Sequence, residues 1–157
     1  MPDVDFRVGW YGQLECTVDG EDYYMQWYPP SLAEMAGRPE LMIAYMDYLG
    51  VDMAVLQHDH IYGSLNEYMS EQAQRYPGRF IPLAQIREWE ADQPVQLARL
   101  EHAVKTLGMR GLYFEIEAFA FAGWVDHLDD AKFELLWDLV RRLDIASFWY
   151  LNTCRLD

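Results

Sequence analysis

Cysteine is nearly absent. The chain carries two, Cys16 and Cys154, far apart and without C-x-x-C or metal-type spacing. They read as thiols of a reducing compartment and not as a disulfide framework. Positive charge is also scarce: 12 Lys+Arg stand against 26 Asp+Glu, a net charge of −14. Such a surface repels phosphate backbones and anionic bilayers, which sets aside nucleic acid and membrane as partners. No apolar run approaches the roughly 18 residues of a membrane span, and MPDVDFRVGW lacks the basic-then-apolar order of a signal peptide. Nor does G-x-S-x-G, G-x-G-x-x-G or G-x-x-x-x-G-K-[ST] occur, so serine-hydrolase elbows, dinucleotide fingerprints and P-loops have no support. These absences describe a cytoplasmic globular protein.

What is present is apolar and aromatic. Hydrophobic residues make up 52% of the 157 positions and aromatics 15%, enough for one ordinary domain with a sizeable core. Residues 1–30 stand apart. RVGWYGQLECTV and EDYYMQWY flank Asp19-Gly20, a short-range hairpin signal. An aromatic β-hairpin is predicted over about 8–27, with Pro29-Pro30 closing the segment. Its aromatic residues suit cross-strand packing, or a lid or partner surface.

Residues 31–157 have regular punctuation and form the second segment. Pro39 suits a first helical turn, Met42, Tyr45, Met46 and Leu49 recur at helical spacing, and Gly50 is a stop. The strand VDMAVLQ follows. Ser64-Leu65-Asn66-Glu67 reads as a capping box for a helix ending at Pro77-Gly78. FIPLAQI is a second strand, weakened by Pro82. A helix from about Asp92-Gln93-Pro94 to Gly108 precedes the strand GLYFEIE. Asp129-Asp130 is read as capping a helix with Phe133, Leu136, Trp137, Val140 and Leu143 on one face. Ala146–Asn152 is a fourth strand.

The strand starts, at 51, 80, 111 and 146, are spaced as βαβ units. Two α/β architectures fit: a small doubly wound sheet, or a partial (βα)8-type barrel of about four parallel βα units behind the N-terminal hairpin. The last strand is strongly apolar and no helix follows to cover it, which favours the half-barrel.

Ligands of such folds bind at the C-terminal ends of the strands. Those ends read Gln57-His58-Asp59-His60 with Tyr62, then Gln85, Arg87 and Trp89, then Glu115 and Glu117, then Asn152. Gln57, His58, Tyr62, Arg87, Glu115, Glu117 and Asn152 are the candidate substrate-pocket residues. On an extended chain His58 and His60 would point the same way and could chelate a metal. Alternatively, one lines the pocket and the other is solvated. Glu115 and Glu117 share a strand face, where they would bind a cation, act as acid and base, or pair with Arg87 or Arg110. His102 and His127 read as peripheral.

From about 39 to 152 the chain resembles the amidohydrolase-2 branch of the amidohydrolase superfamily. The stretches that carry the likeness are PELMIAYMDYLGVDMAVLQ, YGSLNEYMSEQAQRYPGRFIPLAQI, LEHAVKTLGMRGLYFEIE and DDAKFELLWDLVRRLDI. That resemblance implies a metal-dependent (βα)8 barrel that hydrolyses C–N or C–O bonds or decarboxylates a small, aromatic carboxylate, with a divalent zinc or manganese ion in the complete enzyme. It covers about half of the barrel, with VDMAVLQ as the second strand. The family's HxH follows its first strand, so His58 and His60 fall on the wrong strand to be that motif. Its fifth-strand histidine falls where this chain reads Trp149-Tyr150-Leu151-Asn152, and its later histidine and aspartate would lie past Asp157. No family metal ligand carries over. The expectation is therefore a segment of a metal-dependent enzyme acting on a small molecule, inactive in isolation and without its own metal. The alternative is a non-catalytic half-barrel that oligomerises or serves as a binding module. A third reading keeps catalysis in such an oligomer, with His58, His60 and the two glutamates as a relocated metal site.

Overall fold

The structure, a computed structural model, describes residues 4–8, 13–18, 20–26, 29–30, 38–115, 129 and 131–150. Contacts group the chain into two units, Met1–Gly50 with Asp59–Gly63, and Val51–His58 with Ser64–Asp157.

The first unit holds a three-stranded antiparallel sheet in the order β1-β2-β3, with β1 at Val4–Val8, β2 at Gln13–Val18 and β3 at Glu21–Gln26. The expected hairpin is β2–β3, in register from Val18↔Glu21 to Gln13↔Gln26, and Gly20 takes φ 84° in its turn. The sheet also has β1, which the hairpin reading did not include. Val4, Phe6 and Val8 alternate there with Asp5 and Arg7, the period of a strand. Helix α1, Pro39–Leu49, belongs to this unit. Pro39 opens it, and Gly50 closes it at φ 69°, its N–H turned back to the carbonyls of Met46 and Asp47.

The second unit is a four-stranded parallel sheet in the order β4-β5-β6-β7: Ala54–Leu56, Phe80–Ala84, Gly111–Glu115 and Ala146–Tyr150. Every neighbouring pair is parallel, and α2 (Asn66–Arg75), α3 (Pro94–Lys105) and α4 (Glu134–Leu143) connect the strands. The sheet is curled as half of a barrel. Pro82 does not break β5: it stays in register with Leu56, and its carbonyl accepts the Arg110 N–H at 2.9 Å. The expected side-chain cap of α2 does not form, and Asp130 of the other expected cap lies outside the described residues. The α2 N-cap position is Leu65, without a side-chain bond, and α4 is entered through a 3-10 turn at Ala131–Phe133.

One sheet face is buried under the helices. Ala84, Leu112 and Phe114 pack with Leu100, Ala103, Phe133, Leu136, Leu139 and Val140 in a single apolar cluster. Phe114 stacks on Trp149 (centroids 4.9 Å apart) and on Trp137 (5.3 Å), and meets Phe133 edge-on. Such pairs add roughly 0.5–1.5 kcal/mol each beyond the area they bury. By alternation the other face carries Val55, Ile81, Leu83, Gly111, Tyr113, Glu115, Phe148 and Tyr150. Gly111 is closely approached on this face: a Cβ there would lie 2.8 Å from the Ala146 carbonyl and 2.9 Å from Leu83 Cδ2.

Two substitutions test this packing. Phe114→Ala should cost about 3–5 kcal/mol, as the loss of a fully buried ring does. Gly111→Ala should cost about 1–3 kcal/mol by overpacking the inner face. Urea unfolding of both variants checks the pair, and a Gly111→Ala variant as stable as the parent would contradict the close approach.

Candidate functional site

Two of the strand ends that sequence pointed to, those of β4 and β5, are held by a buried polar lattice. β5 stops at Ala84, which leaves the Gln85 backbone past the last ladder pair. Asn66, in the first turn of α2, takes the ladder's place. The Gln85 N–H donates to Asn66 Oδ1 (3.0 Å), and Asn66 Nδ2 donates to the Gln85 carbonyl (2.9 Å). An amide suits this position because it offers a donor and an acceptor in the geometry of a peptide. Gln85 reaches across in turn, its Nε2 donating to the His58 carbonyl at 2.9 Å. Three segments are thereby tied together: the end of β4, the start of α2 and the end of β5.

His58 is 7% exposed and its Nε2 accepts the Leu65 backbone N–H at 3.3 Å. A neutral ring in this bond carries its proton on Nδ1. A cation could take Nε2 only by displacing the Leu65 amide. His60 behaves differently. It opens a 3-10 turn, His60–Tyr62, in which Gly63 N–H bonds the His60 carbonyl at 3.0 Å. The extended alternation that would align the two imidazoles therefore stops before His60. Among the described residues, no group of three or more His, Cys, Asp or Glu is placed to share a metal ion. The donors described do not fit a metal centre.

The remaining candidates divide. Gln57 is exposed at the end of β4. Tyr62, exposed, lies with His60 in the first unit. Arg87 turns outward, its Nη1 3.5 Å from Glu90 Oε1. Its backbone N–H donates to Gln96 Oε1 at 3.2 Å, and Gln96 Nε2 donates to Glu90 Oε2 at 2.7 Å, so this loop is braced against α3. Glu115 ends β6 on the inner face and is 7% exposed. His102 is exposed on α3. Glu117, Asn152 and His127 lie outside the described residues.

Sequence reasoning missed two residues. Asn66 was absorbed into the capping box, although an Asn after a strand end is well suited to bond backbone. Glu88 is fully buried in the 3-10 turn Glu88–Glu90 after β5. Nothing in REWE distinguishes it from its less buried neighbours. Buried carboxylates are costly unless bonded or paired, and both Glu88 and Glu115 engage neighbouring groups.

No family model matches the chain, and no curated protein does. Solved structures do match. One is a 5-carboxyvanillate decarboxylase of Novosphingobium aromaticivorans, with manganese and 3-methoxy-4-hydroxy-5-nitrobenzoic acid bound. It has 19% identity and a TM-score of 0.55 over 70% of this chain and 34% of its own. Another is the 2,6-dihydroxybenzoate decarboxylase of Rhizobium, at 18% identity and TM-score 0.59, over 74% of this chain and 40% of its own. An amidohydrolase-like protein of Staphylococcus aureus aligns at 20% identity and TM-score 0.58, over 78% and 43%. The likeness establishes the fold. The chain spans between a third and a half of the length of each of these proteins. They are of the same decarboxylase and amidohydrolase class that the sequence resembles, and the structure of the first contains a divalent metal.

Asn66→Ala should unpair the Gln85 N–H and carbonyl together, at about 1–3 kcal/mol for each group left buried without a partner. Asn66→Asp keeps the acceptor but sets a buried carboxylate oxygen against the Gln85 carbonyl, so at neutral pH it should cost at least as much as Ala. Thermal unfolding of the three proteins checks the order. Asn66→Ala as stable as the parent would show that the lattice does not hold these strand ends.

Proposed function

We propose that the chain supplies the second to fifth strands of a metal-dependent barrel of the amidohydrolase-2 type, acting on a small, aromatic carboxylate by decarboxylation or hydrolysis. One observation carries this reading. Polar side chains gather at the C-terminal ends of a four-stranded parallel half-barrel whose curl matches decarboxylase barrels. That is the end at which barrels of this kind bind ligands.

Within this reading the chain forms part of a pocket wall. Gln57, Glu115, Glu117 and Asn152 would offer donors and acceptors to carboxylate and phenol oxygens. His58 shapes the floor from its bond to Leu65, and Arg87 lies at the rim. The chain's described donors do not form a metal centre, so the zinc or manganese ion of a complete barrel would be held by residues contributed from elsewhere. On this account the 157 residues alone are inactive and take up no stoichiometric metal.

The test has two parts. The reading frame flanking this chain is sequenced, and the protein expressed from the whole frame is analysed for metal beside the 157-residue chain. A strand ending in HxH upstream, a His and an Asp downstream, and one divalent ion per barrel in the longer protein alone are the expected results. Closed flanking frames would overturn the proposal. So would stoichiometric metal in the short chain that is lost in His58→Ala, the outcome that a relocated site requires.

A further inference from the structure

The hydrogen bonds at the ends of β4 and β5 close a circuit. The His58 ring accepts the Leu65 N–H, Asn66 beside Leu65 exchanges two bonds with the Gln85 backbone, and the Gln85 side chain returns to the His58 carbonyl. All four residues belong to the second unit. His58, Asn66 and Gln85 are 7%, 5% and 6% exposed, so water has little access to replace a bond that is lost. Three of the four bonds join amide groups, which do not titrate. The fourth ends on an imidazole nitrogen, which accepts only while it holds a lone pair.

Leu65 is the N-cap position of α2 and has no side-chain cap bond of its own. His58 therefore does from a neighbouring segment what the acidic residue of a capping box does within a helix: it accepts the N-cap N–H.

We propose that His58 is a pH-sensitive latch. While its ring is neutral it holds the start of α2 to the ends of β4 and β5. Protonation at Nε2 removes the acceptor and releases Leu65 together with the Asn66–Gln85 pair. The latch needs only the fold of the second unit, whatever the chain's activity.

Two effects oppose the proton beside the loss of the bond itself. The ring is nearly enclosed, and burial penalises the imidazolium. A positive charge against Leu65 also meets the positive end of the α2 dipole. Charged groups come from each segment around the ring. Asp59 and His60 follow it in the chain, Glu67 stands in the first turn of α2, Arg87, Glu88 and Glu90 follow Gln85, and Glu115 ends β6. The carboxylates among them favour the imidazolium. Glu67 is exposed and screened by water, Glu90 is tied to Arg87 and Gln96, and Asp59, Glu88 and Glu115 engage neighbouring groups. Because the circuit binds the neutral ring, the stability it contributes is complete at high pH and is lost as pH falls through the titration of His58.

Nuclear magnetic resonance reads the ring and the backbone together. Imidazole nitrogen shifts should show the Nδ1–H tautomer at alkaline pH, and a midpoint lower than that of the same residue in the urea-unfolded chain. Exchange protection of the Leu65 and Gln85 amides, corrected for the intrinsic pH dependence of exchange, should fall in step with that titration. The expected loss is about tenfold or more, as befits a buried bond left unmade, while the Leu112 and Phe114 amides of β6 keep their protection. His58→Gln sets a carbonyl oxygen near the place of Nε2 and has nothing to titrate, so both amides should stay equally protected across the same range. A ring midpoint at or above the unfolded value overturns the latch. So does either amide staying protected once the ring is protonated, and so does a His58→Gln variant with the parent's pH dependence. Should His58→Gln not fold, the two readouts on the parent chain decide alone. None of these outcomes depends on metal content or the flanking frame, so failure here leaves the proposed function untouched.

Discussion

The second unit depends on the burial of one face of its parallel sheet. Leu112 and Phe114, at the centre of β6, are completely enclosed by α3, α4 and the aromatic group of Phe133, Trp137 and Trp149. Parallel strands require a crossover between them, and each crossover here is a helix that lands on this face. Once that layer is closed, the alternation of side chains dictates the other face. It also dictates which residues end up at the mouth of the half-barrel.

The polar lattice at the mouth follows from the same constraint. β5 runs out of ladder at Ala84, and the buried Gln85 backbone must still find partners. Asn66 supplies both, and Gln85 and Leu65 then fix His58 through its carbonyl and its ring. An imidazole committed in this way serves structure, and the His-Asp-His spelling that looks like a metal motif is divided between a buried bond and a separate 3-10 turn.

Much of the fold was legible because its signals are local. Pro39, Gly50, Pro94 and Gly108 mark the helix ends, and the apolar runs at β4 to β7 recur at βαβ spacing. The misses are cases where tertiary contacts overrode a local signal. Ser64 precedes α2 but provides no cap bond, because Leu65 holds the N-cap position. Pro82 was expected to weaken β5, yet losing one donor matters little where burial on both sides holds the strand. At the site, burial was the hidden variable. Period-two reasoning put Glu115 and Glu117 on one strand face, but no sequence pattern separates the enclosed Glu88 from the solvated Arg87 beside it.

Native-state amide hydrogen exchange tests the central claim most directly, that β6 and its helical cover are the stable centre of a parallel half-barrel. The amides of Leu112 to Phe114 and of the adjoining β5 should exchange slowest, near the free energy of global unfolding. Those of β1 to β3 should exchange through separate, cheaper openings. Slowest exchange in β1 to β3, with β6 exchanging freely, would contradict the account.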